Sequence, residues 1–296
     1  VSGAALALML SGASPLEERI AARAAAFRGV MGVYAKDLRT GASAAFAADA
    51  RFPSASLIKL AVLAEAHRQA AEGRLARSSL LTLREQDKVG EPIVLNALRA
   101  GSAFSVDELL FLMIAHSDNT ATNLLLERIG TAAVNRLLES HGLVATRLFR
   151  PTFRDGRADV DPELEREYGL GMTTPREIAR LMELIAEGRI ASRAAGDAML
   201  AVLREQKDRA MIPRGLPEGL SVAHKTGEDL EKQPDPRGVR RYVRGDVAFV
   251  EGPGARYVLA VLARQGEDTR SSVDNEALTT GAAVARLVHE AFAGPP

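Results

Sequence analysis

With 296 residues the chain is long enough for one large domain or two closely joined lobes, and for a sizeable buried core. Lys and Arg together number 38 and so do Asp and Glu, so no global field draws the protein to nucleic acid or an anionic membrane. Cysteine is absent, which removes disulfides, thiolate metal sites and cysteine nucleophiles. The five histidines show no metal-ligand spacing, so neither metal nor cofactor is expected.

Residues 1–15 hold a short apolar run, ALALML, followed by small residues. This resembles the hydrophobic and cleavage regions of a secretory signal, although the usual positively charged lead is missing; the alternative is a simple tail. Export, to the periplasm or the medium, is the expectation. No later stretch is long and apolar enough to span a bilayer. Residues 16–28 place charges and alanines at helical spacing, with Gly29 as a candidate C-cap. MGVYAKDL and ASAAFAA, separated by Arg39-Thr40-Gly41, read as two strands and a turn.

A helix begins after Pro53 and runs to about Gly73. It carries Ser56-Leu57-Ile58-Lys59 within a run that is apolar on nearly every side. A serine and a lysine three residues apart share one helix face. Burial lowers a lysine pKa, and a neutral lysine can take the proton of a neighbouring hydroxyl. The plain alternative is a serine near a helix start and a lysine that reaches out to water.

From there to about residue 212 the pattern is helical. Ser105-Val106-Asp107-Glu108 is a capping box before LLFLMIA. Residues 120–128 form another helix stopped by Gly130, and Thr131 is a candidate cap for AAVNRLLES. Thr174-Pro175-Arg176-Glu177 opens a further helix and Ser192 the next. The long connection 146–172 is of a length that is usually functional or disordered. After Pro217 come LSVAHKTG, RGDVAFV and RYVLAVLAR, with a turn at Gly252-Pro253-Gly254, and then a closing helix over about 275–293. Strands at both ends and helices between predict an α+β fold in three α/β/α layers. An antiparallel sheet is built from both chain ends (16–51 and 215–293) and covered by helices, with an all-helical lobe (52–214) inserted.

Ser117-Asp118-Asn119 falls in a tight connection between two helices. Its serine can relay a proton and its amide can bind a substrate amide; taken alone it reads as an N-cap. Lys225-Thr226-Gly227 follows a strand. It offers a cation, a hydroxyl and a backbone open to close approach; taken alone it is a polar strand end. S-x-x-K, S-D-N and K-T-G in this order, on a helix start, an interhelical connection and a strand, form a known set. On these motifs and the contexts FLMIAHSDNTATNLLLERIG, TTPREIARL and VAHKTG, the chain from 16 to 293 resembles the class A β-lactamase superfamily of active-site serine hydrolases.

The resemblance implies roles. Ser56 would be the nucleophile, Lys59 its proton acceptor and Ser117 the donor to the leaving nitrogen. Lys225 would support that relay and, with Thr226, hold a substrate carboxylate, while Asn119 would bind the side-chain amide. The N–H groups of Ser56 and Glu228 would form the oxyanion hole beside Gly227. The expected partner is a small acyl compound such as a β-lactam, met by a monomer that binds no nucleic acid.

Two departures from the family pattern stand out. Its deacylating E-x-x-L-N is here Asp161-Pro162-Glu163-Leu164-Glu165, so Asp161 takes the position of the base by register. Glu163 and Glu165 are rivals, and all three also read as solvated loop acids. A carboxylate at Glu228 would repel an anionic substrate unless Arg244 or Arg240 offsets it. Arg244 would bind a substrate carboxylate, or else pair with Asp246 or Glu228. The leading function is a serine hydrolase that opens a β-lactam through an acyl-enzyme. The alternatives are a penicillin-binding or sensor-like domain with little turnover, and an esterase or peptidase on another acyl substrate.

Overall fold

The computed structural model describes residues 13–293 except Pro92; the possible signal segment therefore lies almost wholly outside the described residues. Helix α1 (Pro15–Ala25) starts at a reciprocal cap in which Ser14 Oγ accepts from Glu17 N and Glu17 Oε2 accepts from Ser14 N at 2.9 Å. It ends well before Gly29. That glycine does not cap the helix: a Cβ there would lie 2.6 Å from the Phe27 ring and 2.8 Å from Arg264 O, so close packing excludes a side chain.

The central sheet has five antiparallel strands in the order β2-β1-β10-β9-β8: β1 (Val30–Asp37), β2 (Ser43–Phe46), β8 (Ser221–Leu230), β9 (Tyr242–Gly252) and β10 (Ala255–Arg264). Both faces are buried, which is why these strands read as near-continuous apolar runs. On β10, Tyr257, Leu259, Val261 and Ala263 face a core shared with α1 and the closing helix α9 (Glu276–Ala293). The alternate residues Val258, Ala260 and Leu262 face the larger core shared with the helical region.

That region is built around α2 (Lys59–Ala71), whose residues 59–67 are all buried. It packs against α3 (Val106–Ala115), α4 (Asn119–Ile129), α5 (Thr131–Ser140), α7 (Pro175–Ala186) and α8 (Arg193–Arg204). Helix α7 also lies on β1, β9 and β10, so one helix of the inserted lobe doubles as a covering layer of the sheet. The capping box at Ser105 and the caps at Thr174 and Ser192 form as expected. Thr131 does not cap. Gly130, at φ 87°, takes that place, and Thr131 Oγ1 donates to Asp159 at 2.6 Å.

The connection 146–172 is partly ordered into elements. Strands β6 (Arg147–Leu148) and β7 (Gly171–Thr173) join β3 (Phe52–Pro53) in a small sheet, and helix α6 (Pro162–Tyr168) lies between them. Ser54 N donates to Gly171 O at 2.8 Å, so the segment leading to Ser56 is stitched to this connection. A pair of three-residue strands, β4 (Leu80–Thr82) with β5 (Ala103–Ser105), completes the described strands as a separate two-stranded ribbon.

Candidate active site

Ser56 sits in a 3₁₀ turn, Ala55–Ile58, and Lys59 is the first residue of α2. In a 3₁₀ turn residues three apart eclipse, which sets Ser56 and Lys59 on one side. Ala55 holds φ 42°, a strained value for a residue with a side chain. The turn is pressed onto strands β8 and β9. A Cβ on Gly227 would lie 3.0 Å from both Leu57 N and Ser54 O, and one on Gly245 2.9 Å from Leu57 Cδ1. The close approach that Gly227 allows is thus that of the Ser56 turn.

Lys59 is fully buried. Its Nζ donates to Ser117 O at 2.6 Å, to Ser117 Oγ at 3.2 Å and to Asn119 Oδ1 at 2.7 Å. Burial, and then the nearby Lys225 charge, hold its pKa well below the ordinary lysine value, with Asp118 acting the other way. Burial of this kind favours the uncharged amine over the ammonium. Lys225 is also fully buried and donates to Ser117 Oγ at 3.1 Å and to Thr226 O at 2.7 Å. Burial pushes it down to about 7, against the pull of Asp246 and Asp208. The Ser117 hydroxyl therefore stands within hydrogen-bond reach of both amines.

Ser117 has φ 56° in the connection between α3 and α4. The neighbouring Asp118 holds that connection in place: Oδ1 caps α4 through Ala121 N at 2.8 Å, and Oδ2 accepts from Val94 N and Leu95 N at 3.1 and 2.9 Å. Behind Lys225, His224 Nδ1 lies 3.1 Å from Asp246 Oδ1, and Asp246 Oδ2 accepts from Ile212 N at 3.0 Å, all fully buried.

Two cavities meet at Ser56. One of about 140 Å³ is lined by Ser56, Asn119, Arg150, Thr152, Phe153 and Glu228 among others. The second, about 470 Å³, includes Ser56, Ser117, Asn119, Thr226 and Glu228. So Ser56, Ser117, Asn119, Thr226 and Glu228 line one cleft, Lys59 and Lys225 touch it through Ser117 Oγ, and Gly227 packs under the Ser56 turn.

The loop acids stand elsewhere. Asp161, at φ 48°, is ion-paired with Arg147 at the start of α6 and lines neither cavity. Glu163 is exposed. Glu165 is buried and pairs with Arg150 Nε at 2.7 Å. From this connection Arg150, Phe153, Asp155, Leu170 and, with its Oγ1 3.2 Å from Asn119 O, Thr152 line the smaller cavity. Sequence reasoning passed over Thr152 because T-F-R carries no acid. The signal that pointed to it is Asn123, one turn after Asn119 on the same helix face, whose side chain grips the Thr152 backbone.

Arg244 is only 3% exposed and lines neither cavity; its Nη1 lies 3.3 Å from Glu228 Oε2 and its Nη2 donates to Arg270 O at 3.1 Å. Arg240 is exposed. Glu228, half-exposed, stands between Arg244 and the cleft, and burial raises its pKa above the usual carboxylate value. Among the described residues no group of three or more His, Asp or Glu is arranged to hold a metal ion, and no helix is long and apolar enough to cross a membrane.

Two desolvated lysines joined through the Ser117 hydroxyl, at a cleft that Ser56 lines between an antiparallel sheet and the helices, fit the class of active-site serine hydrolases. The chain belongs to the β-lactamase enzyme family, whose model matches residues 15–292. It is 33% identical over 251 residues to a β-lactamase of Streptomyces fradiae, covering 76% of each chain. Its fold matches a β-lactamase from Sphaerobacter thermophilus with a TM-score of 0.78 at 29% identity, over 95% of this chain and 98% of that one. It also matches an ancestral class A β-lactamase with a TM-score of 0.77 at 30% identity, over 94% and 100%. PBP-A, at 30% identity and a TM-score of 0.78 over 94% and 96%, is equally similar.

Proposed function

We propose that Ser56 opens the amide of a β-lactam and becomes acylated, and that the acyl-enzyme is then hydrolysed slowly. Neutral Lys59 takes the Ser56 proton, and Ser56 Oγ bonds to the carbonyl carbon. As the C–N bond breaks, the proton reaches the leaving nitrogen through Ser117. Lys225, protonated, and Thr226 hold the substrate carboxylate; Asn119 binds the side-chain amide. The N–H groups of Ser56 and Glu228 receive the oxyanion, each contributing roughly 3–4 kcal/mol of transition-state stabilisation. The observation that carries the reading is the Ser117 hydroxyl held 3.2 Å from Lys59 Nζ and 3.1 Å from Lys225 Nζ, which links the amine that takes the proton to the hydroxyl that passes it on.

Slow deacylation follows from the placement of the loop acids. Asp161 and Glu165 are both committed to arginines, and Asp155, the acid of this connection that lines the Ser56 cavity, is paired with Arg150 and Lys232. That favours, as the second reading, a penicillin-binding protein with little turnover. PBP-A, similar over most of the chain, has been solved in a variant form as its acyl-enzyme complex with penicillin G. Nitrocefin decides between the two readings: continuous colour supports hydrolysis, a burst equal to the enzyme present supports trapping. Turnover of p-nitrophenyl esters or D-Ala-D-Ala peptides without β-lactam opening would instead identify an esterase or peptidase. In this reading the protein works as an exported monomer, which periplasmic fractionation and light scattering test.

A further inference from the structure

The outer face of the cleft presents Glu228 where a guanidinium lies just behind. Glu228 lines both cavities that meet at Ser56, whereas Arg244 lines neither. Arg244 is held by the Glu228 carboxylate at 3.3 Å, by Arg270 O at 3.1 Å and by the Tyr242 ring at 4.9 Å. Strand pairing sets the two beside each other: Glu228 and Arg244 are directly opposite on β8 and β9. The remaining charges near the smaller cavity do not change the sign. Arg150 is committed to Glu165 and Asp155, and Lys232 donates to Asp155 at 2.7 Å. Asp229, next along β8 and lining the same cavity, adds a second exposed carboxylate.

Building on the Ser56 reading above, we infer that Glu228 selects acyl donors by the charge they carry next to the side-chain amide, favouring an ammonium and rejecting a carboxylate. The amide is the group that Asn119 would hold, and Asn119 shares both cavities with Glu228. A charge on the adjoining carbon of the substrate therefore falls beside the Glu228 carboxylate. An ammonium there gains a partner; a carboxylate meets Glu228 and reaches Arg244 only by displacing it. The substrate class is thus an acylamino compound with a free amine one carbon from its side-chain carbonyl.

Three penicillins test this with one nucleus and one phenyl group: ampicillin carries an ammonium at that carbon, benzylpenicillin hydrogen only, and carbenicillin a carboxylate. Second-order acylation rates of the full chain are read by intact-mass spectrometry. The expected order is ampicillin over benzylpenicillin over carbenicillin, with steps of about three- to tenfold for one charge pair at a partly solvated site. Glu228→Gln keeps the backbone N–H and the size. It is expected to bring the three rates within about twofold of one another, with carbenicillin gaining most because Arg244 is uncovered. A thermal unfolding midpoint close to that of the unaltered protein reports that the variant is folded. Equal rates in the unaltered protein overturn the inference, as does a carbenicillin preference. An ampicillin preference that survives Glu228→Gln overturns the assignment to Glu228. Acylation by none of the three rejects the Ser56 reading itself, and this inference with it.

Discussion

Asn123 grips Thr152 by both sides of its backbone: Asn123 Oδ1 accepts from Thr152 N at 2.8 Å and from Thr152 Oγ1 at 2.9 Å, and Nδ2 donates to Thr152 O at 3.1 Å. Thr152 Oγ1 also lies 3.2 Å from Asn119 O. The backbone at 152 is thereby fixed on the wall of the cavity that holds Ser56.

A carboxylate introduced there is expected to reach the cleft with Lys59 nearby. Thr152→Glu should shorten the acyl-enzyme lifetime by at least about tenfold, within the range a positioned general base supplies. Thr152→Gln, of the same shape without the basic oxygen, should not. Time-resolved intact mass after a penicillin pulse measures both; an unchanged lifetime in Thr152→Glu would count against slow deacylation being a matter of a missing base.

The loop acids should separate by burial. Asp161 pairs with Arg147 at a site where its side chain is 40% exposed, so Asp161→Asn is expected to cost within about 1 kcal/mol and to leave the acyl-enzyme lifetime within about twofold. Glu165→Gln leaves Arg150, 3% exposed, without its buried partner and should cost about 3–5 kcal/mol in urea unfolding. A large change in deacylation with Asp161→Asn would restore Asp161 as the base.

The two lysines predict opposite limbs of a pH profile. Lys59 must be neutral to take the serine proton, so acylation rises as pH climbs through its depressed pKa. Lys225 must be charged to hold a carboxylate, and with a pKa of about 7 it loses that charge above neutrality, so acylation falls there. In Lys225→Arg the guanidinium stays charged, and the loss above about pH 7 should disappear from kcat/KM. A descending limb unmoved in that variant would assign it to another group.

Gly227 should tolerate no side chain. A methyl 3.0 Å from Leu57 N and Ser54 O must push the Ser56 turn off β8. Gly227→Ala is expected to lower the acylation rate by about a hundredfold or more, in line with the sensitivity of acyl transfer to displacements near 1 Å. Stability should fall by about 1–3 kcal/mol, read by thermal unfolding.

Much of this arrangement was legible in the chain. The apolar runs of β8 and β10, the capping box at Ser105 and the cap at Thr174 each carry a local signal strong enough to fix an element, and the spacing of Ser56 and Lys59 put them on one side of the helix start. What was not legible depends on contacts made far along the chain. Strands β3, β6 and β7 are two or three residues long, too short to show a period, and exist because each pairs with a distant segment. The string Asp161-Pro162-Glu163-Leu164-Glu165 invited a register with the family pattern. The positions of its acids were decided instead by Arg147 and Arg150. Likewise, strand register sets Arg244 opposite Glu228, but which of the two side chains lies in front was not legible from it.

The central claim is that Ser56 is acylated through the Lys59–Ser117–Lys225 cluster. Intact-mass spectrometry of the protein with benzylpenicillin tests it most directly. One adduct of the full mass of the penicillin, located on Ser56 by peptide mapping and absent in Ser56→Ala, is the predicted result. No adduct on the unaltered protein together with no ring-opened product, or an adduct that persists in Ser56→Ala, would contradict it.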